Sequence, residues 1–351
     1  MRSARAATIA VSAGAIGLAV AVPAAADRSA VVDCHDNPAT LQTAINGAAA
    51  GDTLRVKGTC TGPFTIDKDL ILIGQGHAVL DGNRAGSTVT VNNDVRARLT
   101  HLTITHGTGT GDEQSAFGGG IYNNLGTVTL TDSSVEDNTA NSGGGIFNAG
   151  TDTGDFGTVT LTDSAVKHNT GGNGGGIYNA LGLVTLTDST VNHNAAGSAG
   201  GISSAGGTVT LTNSTVKHNT ADFGGGGGIS IGSTSIGDVP RTGTLTLTDS
   251  TVEHNTATTD GGGIELGNSA LTLTRSTVHD NTATTEGVGF GGGIANIGGK
   301  AVLVRSSVER NTADSAGGIF NSGAVVLVHS TVRRNNPDNC APPGSVDDCT
   351  G

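Results

Sequence analysis

A chain of 351 residues with 58 Gly, one Met, no Trp and 3% aromatic side chains cannot fill a large spherical core, and its apolar residues, chiefly Val, Leu, Ile and Ala, suit narrow interiors lined by strands. A formal charge of -12 excludes nucleic acid and anionic membranes as partners, since both select a basic surface. Cations and neutral ligands remain.

The first stretch reads as a targeting segment. Arg2 and Arg5 form a basic region, Ala6 to Val22 an apolar one, and Ala24-Ala25-Ala26 a small-residue cleavage site before Asp27. Residues 1–26 are therefore set aside as a signal peptide, and no later apolar run is long enough to span a bilayer. A secreted protein is expected, released or held at the cell surface without a membrane span. Four Cys in such a chain read as two disulfides. Cys34 and Cys60 flank the first ordered segment and Cys340 and Cys349 close the tail, so three connectivities exist and local pairing is expected.

Residues 27–98 read as a cap and the first turns of a β structure. Asn37-Pro38 has the form of a helix start, and Leu41, Ala44, Ile45 and Ala48 follow at helical spacing up to Gly51. Short strand-like runs come next, from Leu54-Arg55-Val56 to the run at residues 99–104, separated by Gly, Asp and Asn.

Residues 99–335 are a repeat. In its plainest form it runs Val184-Thr185-Leu186-Thr187-Asp188-Ser189-Thr190-Val191-Asn192-His193-Asn194 and on to Gly200-Gly201-Ile202. The copies close at Asn138, Asn169, Asn194, Asn219, Asn255, Asn281, Asn311 and Asn335, at spacings of 31, 25, 25, 36, 26, 30 and 24 residues. A period near 25 stretched by insertions signals a solenoid. Alternation in Val159-Thr160-Leu161-Thr162 sends Val and Leu to one side and Thr to the other. One period cannot fold alone: four inward side chains contribute roughly 1.5–3 kcal/mol each, while ordering each of its residues costs about 1–2 kcal/mol. Stacked coils about 4.8 Å apart solve this. The expected fold is all-β, a right-handed parallel β-helix with three strands per coil of about 25 residues and a short N-terminal capping helix. Residues 336–351 form a disulfide-closed tail.

The run Gly51-Asp52-Thr53-Leu54-Arg55-Val56, then Leu70-Ile71-Leu72-Ile73-Gly74-Gln75-Gly76 and Leu80-Asp81-Gly82, resembles the entry of the pectin-lyase-like right-handed β-helix superfamily. The GGGIYN at 118–123 and 174–179 and the GGGIFN at 143–148 resemble the GGAI and FxxN repeats of polymorphic outer-membrane proteins and secreted actinobacterial β-helix proteins. The first resemblance implies a groove along one sheet where acids bind calcium or work as acid and base beside a basic residue. The chain departs from the second family in lacking a C-terminal barrel, so a self-transporting role is not implied.

Equivalent positions on stacked coils form columns, and columns are where ligands would bind. The outward Thr185, Thr187, Thr210 and Thr212 belong to a threonine face that resembles an ice-binding surface. Stacked His168, His193, His218 and His254 would hold a soft divalent metal or titrate together. The strand-end acids Asp132, Asp163, Asp188 and Asp249 suit tight turns; calcium is the one cofactor such a column would take, and otherwise none is expected. Tyr122, Phe147 and Tyr178 follow the inward Ile and, if outward, form an aromatic strip for sugar rings. Catalytic acids would come from insertions, as Asp112 and Glu113 in 107–117 or Asp152 and Asp155 in 150–157, with further insertions at 230–243 and 284–290. Coils this alike favour a non-catalytic extracellular protein that binds a glycan or surface ligand. The alternatives are a polysaccharide lyase or glycoside hydrolase, and an ice or crystal binder.

Overall fold

The computed structural model describes residues 29–112, 115–151, 153–236, 239–284 and 289–349. The signal segment at 1–26 lies outside the described residues, as do Glu113 and Asp152.

The coil from 183 to 207 shows how the sequence builds the molecule. Strand Leu183–Thr187 buries Val184 and Leu186 and turns Thr185 and Thr187 outward. At Asp188 the backbone enters the left-handed region, φ 49°, a conformation that Asp, Asn and His tolerate best among side-chain-bearing residues. Thr190–Asn192 follows and buries Val191, then His193 turns the chain again at φ 53°. Ala195–Ser198 buries Ala196 and Ile202–Ala205 buries Ile202. All four strands pair in parallel with their copies on the next coil, Leu183 with Thr208, Thr190 with Thr215, Ala195 with Thr220 and Ile202 with Ile229.

The result is a parallel β-helix with three long sheets. The first has twenty strands because most coils give it two, joined by a bend at Asp-Ser. The second sheet has seven strands and the third eleven. The second was not legible in the sequence: its strands shrink to pairs such as Thr220–Ala221, too short for a periodic signal. Before each third-sheet strand from Ile121–Asn123 to Ile319–Asn321 stand two glycines because a Cβ there has no room; on Gly176 it would sit 2.6 Å from the carbonyl oxygen of Gly201.

The interior is one continuous column of Val, Leu and Ile, edged by hydrogen-bonded polar ladders at the corners. Asn194 Nδ2 donates to Asn219 Oδ1 at 3.0 Å, and Asn219 to Asn255 at 2.9 Å, along the whole repeat. A second ladder occupies the bend, where Ser189 Oγ accepts from the Ser164 backbone at 3.2 Å. At the far edge of the third sheet, Asn123, Asn148 and Asn179 form another. Each satisfies corner backbone groups that would otherwise be buried unpaired.

Helix Thr40–Gly47 covers the first coil with Leu41 and Ile45 buried. It begins later than Asn37-Pro38 suggests: Ala39 holds the cap position without a side-chain hydrogen bond, and the Asn37 side chain accepts from Ala39 N instead, at 3.2 Å. Its end also falls before Gly51. Cys34 joins Cys60 and Cys340 joins Cys349, the local pairing expected. Among the described residues no helix is long and apolar enough to cross a membrane.

Candidate functional site

The insertions are confined to two corners. Residues 107–117 and 284–290 interrupt the chain just before the third-sheet strands Ile121–Asn123 and Ile294–Ile297; residues 150–157 and 233–243 follow the third-sheet strands Ile146–Asn148 and Ile229–Gly232. Both corners border the third sheet. That sheet is therefore the floor of a trough with loops along both edges, whereas the first sheet, which carries the threonine face, meets insertions only at its edge with the third, where 150–157 and 233–243 lead into Thr158–Thr162 and Thr244–Thr248.

Outward positions on this floor stack in register: Tyr122, Phe147, Tyr178, Ser203, Ser230, Glu265, Ala295 and Phe320. Phe147 and Tyr178 lie ring on ring, centroids 5.4 Å apart and planes 10° apart. Tyr122 stands 5.7 Å from Phe147 on the other side. The expectation of an open strip needs correction at Phe147, which is only 8% exposed. Phe117, carried in by the 107–117 insertion, lies 4.7 Å from it and covers it. Tyr122 and Tyr178 are half-buried, and burial pushes both phenols above the ordinary tyrosine range. With one face on Phe147, Tyr178 turns the other toward the next coils, where the floor drops to Ser203 and Ser230.

The floor rises again at Glu265, three coils or about 14 Å beyond Tyr178. Ser230 Oγ donates to Glu265 Oε2 at 2.8 Å. Burial raises the Glu265 pKa; the nearby Asp260 charge raises it further, against the lowering effect of the Ser230 bond. Asp260 is itself raised by burial, although the Phe290 backbone N–H donates to it at 3.2 Å. Gly225 makes this packing possible, because a Cβ there would meet the Glu265 carboxyl carbon at 2.8 Å. On the rim of the Ser230 coil, Phe223 is 87% exposed. Rooted on the opposite edge is an antiparallel hairpin, Thr234–Ile236 with Val239–Arg241, seated over Gly206. The result is a short subsite: an aromatic face at one end, hydroxyls below, a protonatable carboxyl at the other end.

The acids expected in the insertions do not converge. Asp112 and Asp155 are both exposed, and they lie on loops at opposite edges of the third sheet; Asp155 is engaged locally by Thr151 and Thr153. Thr185, Thr187, Thr210 and Thr212 face outward in register on the first sheet and share nothing with the trough. His168, His193, His218 and His254 do stack, on the corner between the first and second sheets. Asp132, Asp163 and Asp188 line a separate groove of about 810 Å³ along the bend of the first sheet, together with His77 and His101. There His101 Nε2 lies 3.4 Å from Asp132, and farther along Arg275 pairs with Asp249 at 2.6 Å. Among the described residues no three or more His, Cys, Asp or Glu side chains form a set that could hold a metal ion, so the acid column does not assemble the calcium site considered from sequence.

Sequence reasoning passed over Glu265 and Asp260. Glu265 was visible only as one variant in a column that also holds Ser, Ala and Phe; the missing signal is the glycine of the preceding coil that lets it sink.

No protein-family model matches the chain, and no curated protein matches it. Among solved structures, pectate lyase Pel9A is similar over 83% of this chain and 72% of its own, at 15% identity and a TM-score of 0.48. An alginate lyase from Paenibacillus sp. str. FPU-7 is similar over 87% of this chain and 99% of its own, at 13% identity and a TM-score of 0.46. For the A-module of the mannuronan C-5 epimerase AlgE4 from Azotobacter vinelandii the shares are 88% and 95%, with 12% identity and a TM-score of 0.39. At these identities the likeness is one of chain path.

Proposed function

We propose that this β-helix binds an extracellular polysaccharide along the third-sheet trough and cleaves it there, with Glu265 as the proton donor. The observation that carries this reading is the line Tyr178, Ser203, Ser230, Glu265. A sugar ring packs its apolar face on Tyr178, its hydroxyls meet the serines, and the glycosidic oxygen of a neighbouring unit reaches Glu265. Burial and a nearby acid both raise the Glu265 pKa, which is the direction that general-acid catalysis needs. Asp260 is the second carboxyl of the pair and adds to the bias that burial creates. Two disulfides and the leader-like residues 1–26 support an extracellular setting. Stacking of coils on both sides of the subsite keeps it rigid.

The experiment is incubation of the protein with a panel of neutral and uronate-containing polysaccharides. Retention on the insoluble polymer reports binding. New reducing ends report hydrolysis, and new ultraviolet absorbance reports elimination. Glu265→Gln is expected to abolish cleavage by at least a hundredfold while leaving retention unchanged, and Tyr178→Ala to weaken retention by about tenfold. Retention and cleavage indifferent to both substitutions would overturn the site. Retention without cleavage would reduce it to a binding trough.

A further inference from the structure

Four consecutive coils place histidine immediately before the buried corner asparagine: His168, His193, His218 and His254. The position is left-handed, φ 53–54°, and on other coils it is filled by Asp137, Asp280, Arg310 and Arg334. The backbone alone does not require imidazole. All four rings are exposed at their outer edges, and they stand in a column with centroids 5.2, 4.9 and 5.0 Å apart and planes inclined by 22°, 25° and 30°. The nearest charges lie mainly at its ends. Glu136, one coil before His168, is neutralised by Lys167 at 2.9 Å. Beyond His254, Glu253 reaches His254 at 3.7 Å and His279 at 3.3 Å, and Asp280 is held by Arg310 at 3.0 Å. Asp137 caps the other end, and Lys217 stands beside the middle rings. Partial burial, then the charges of His218, His168 and Lys217, hold His193 below the ordinary imidazole range. His254 is the one of the four with a carboxylate within salt-bridge reach, and imidazole nitrogens are good ligands for borderline metals.

The geometry points to a transition-metal chelating column, in which adjacent imidazoles bind a divalent ion, Cu²⁺ ahead of Ni²⁺ and Zn²⁺, two rings to an ion with water in the remaining positions. At metal–nitrogen distances near 2.0–2.1 Å, two imidazoles sharing one ion have ring centres about 5 Å apart, which is the coil spacing seen here. The rings as they stand face one another, so a turn about the terminal side-chain torsion is needed to aim both nitrogens at a common point; that torsion is broad and soft in histidine. Asn192 Nδ2 contacts Nδ1 of His193 at 3.1 Å, a neutral contact that the turned ring exchanges for the metal. Two ligands per ion agree with the lack of any three-residue set among the described residues. Four rings in sequence accommodate up to two ions.

The test is a Cu²⁺ titration of the tag-free full chain by calorimetry, with electron paramagnetic resonance on the loaded protein. Saturable binding of one or two ions in the micromolar range is expected at about pH 7.5, with nitrogen splitting from imidazole, and at least tenfold weaker binding at about pH 5.5 because protons compete for the same lone pairs. Asparagine is the suitable replacement, since Asn213 occupies a left-handed corner in this chain at φ 49°. The double variants His193→Asn with His218→Asn, and His168→Asn with His218→Asn, each leave no adjacent pair and should lose at least tenfold in affinity. His279→Asn should change nothing. Undiminished binding in folded double variants, loss of binding on His279→Asn, or no saturation up to millimolar Cu²⁺ would each overturn the proposal.

Discussion

At the scale of single residues, a side chain's role here is set by what its copies on adjacent coils leave open. Glu265 is the clearest case, because Ser230 below and Ala295 above are small and Gly225 clears space at its side. Its folded pKa is raised above the unfolded value, so its contribution to stability is full below the unfolded value and is lost as pH rises through the folded one. The paired acids Asp249, Asp280 and Glu309 have lowered values and act in the opposite sense, losing their contribution on acidification. The wild-type melting curve mixes both. Subtracting the Glu265→Gln variant isolates one: as pH rises above the ordinary glutamate range the variant should gain on the wild type, read as a melting-temperature difference that shifts in the variant's favour. A constant difference would mean that Glu265 is solvated. None of this was legible beforehand, because a lone Glu in a variable outward column has no periodic signature. The disulfides and the stacked histidines were legible, the first from compartment and spacing, the second from four identical residues at equal offsets.

At the scale of elements, the unit that matters is the column and the corner it closes. Asn219 is fully buried; it accepts from Asn194 N and Nδ2, both at 3.0 Å, and donates to Val191 O at 3.0 Å and Asn255 Oδ1 at 2.9 Å. Asn219→Ala strips partners from groups that no water can reach, which costs about 1–3 kcal/mol for each group left unpaired. Asn335, one step from the last member of the same ladder, Asn339, makes the equivalent bonds but is 9% exposed, so its replacement should cost less. Denaturant midpoints of the two variants check the gradient; equal losses would show that the ladder is not a cooperative element. The asparagine column was the strongest feature of the sequence and proved structural throughout. Its partner ladder of serines was not: Asp-Ser reads as a strand breaker, whereas the sheet continues through the bend with Ser buried beneath it. The helix start failed for a related reason, since Asn37 engages its own turn rather than capping a helix.

At the scale of the whole molecule, the two ends are unlike. Helix Thr40–Gly47 and its disulfide close the first coil, whereas the last first-sheet strands, Ala324–Val328 and Thr331–Arg333, leave the inward Val325, Leu327 and Val332 only partly buried. The tail strand Cys340–Ala341 pairs only on the third-sheet side. In a molecule where each coil touches only its neighbours, damage stays local. Replacing Cys340 and Cys349 by Ser should raise amide hydrogen exchange in the final two coils while leaving residues 159–281 unchanged; an increase spread along the rod would refute that independence. The same neighbour-only wiring bears on how the chain reaches this state. Ladder partners are 24 to 36 residues apart in sequence, as in Asn311 with Asn335 and Asn219 with Asn255, about a tenth of the chain or less. Such low contact order is ordinarily the privilege of helical proteins and spares the long loop closures that slow most all-β folds. Each coil, once formed, is the template on which the next can zip, so folding can advance along the rod without waiting for the far end.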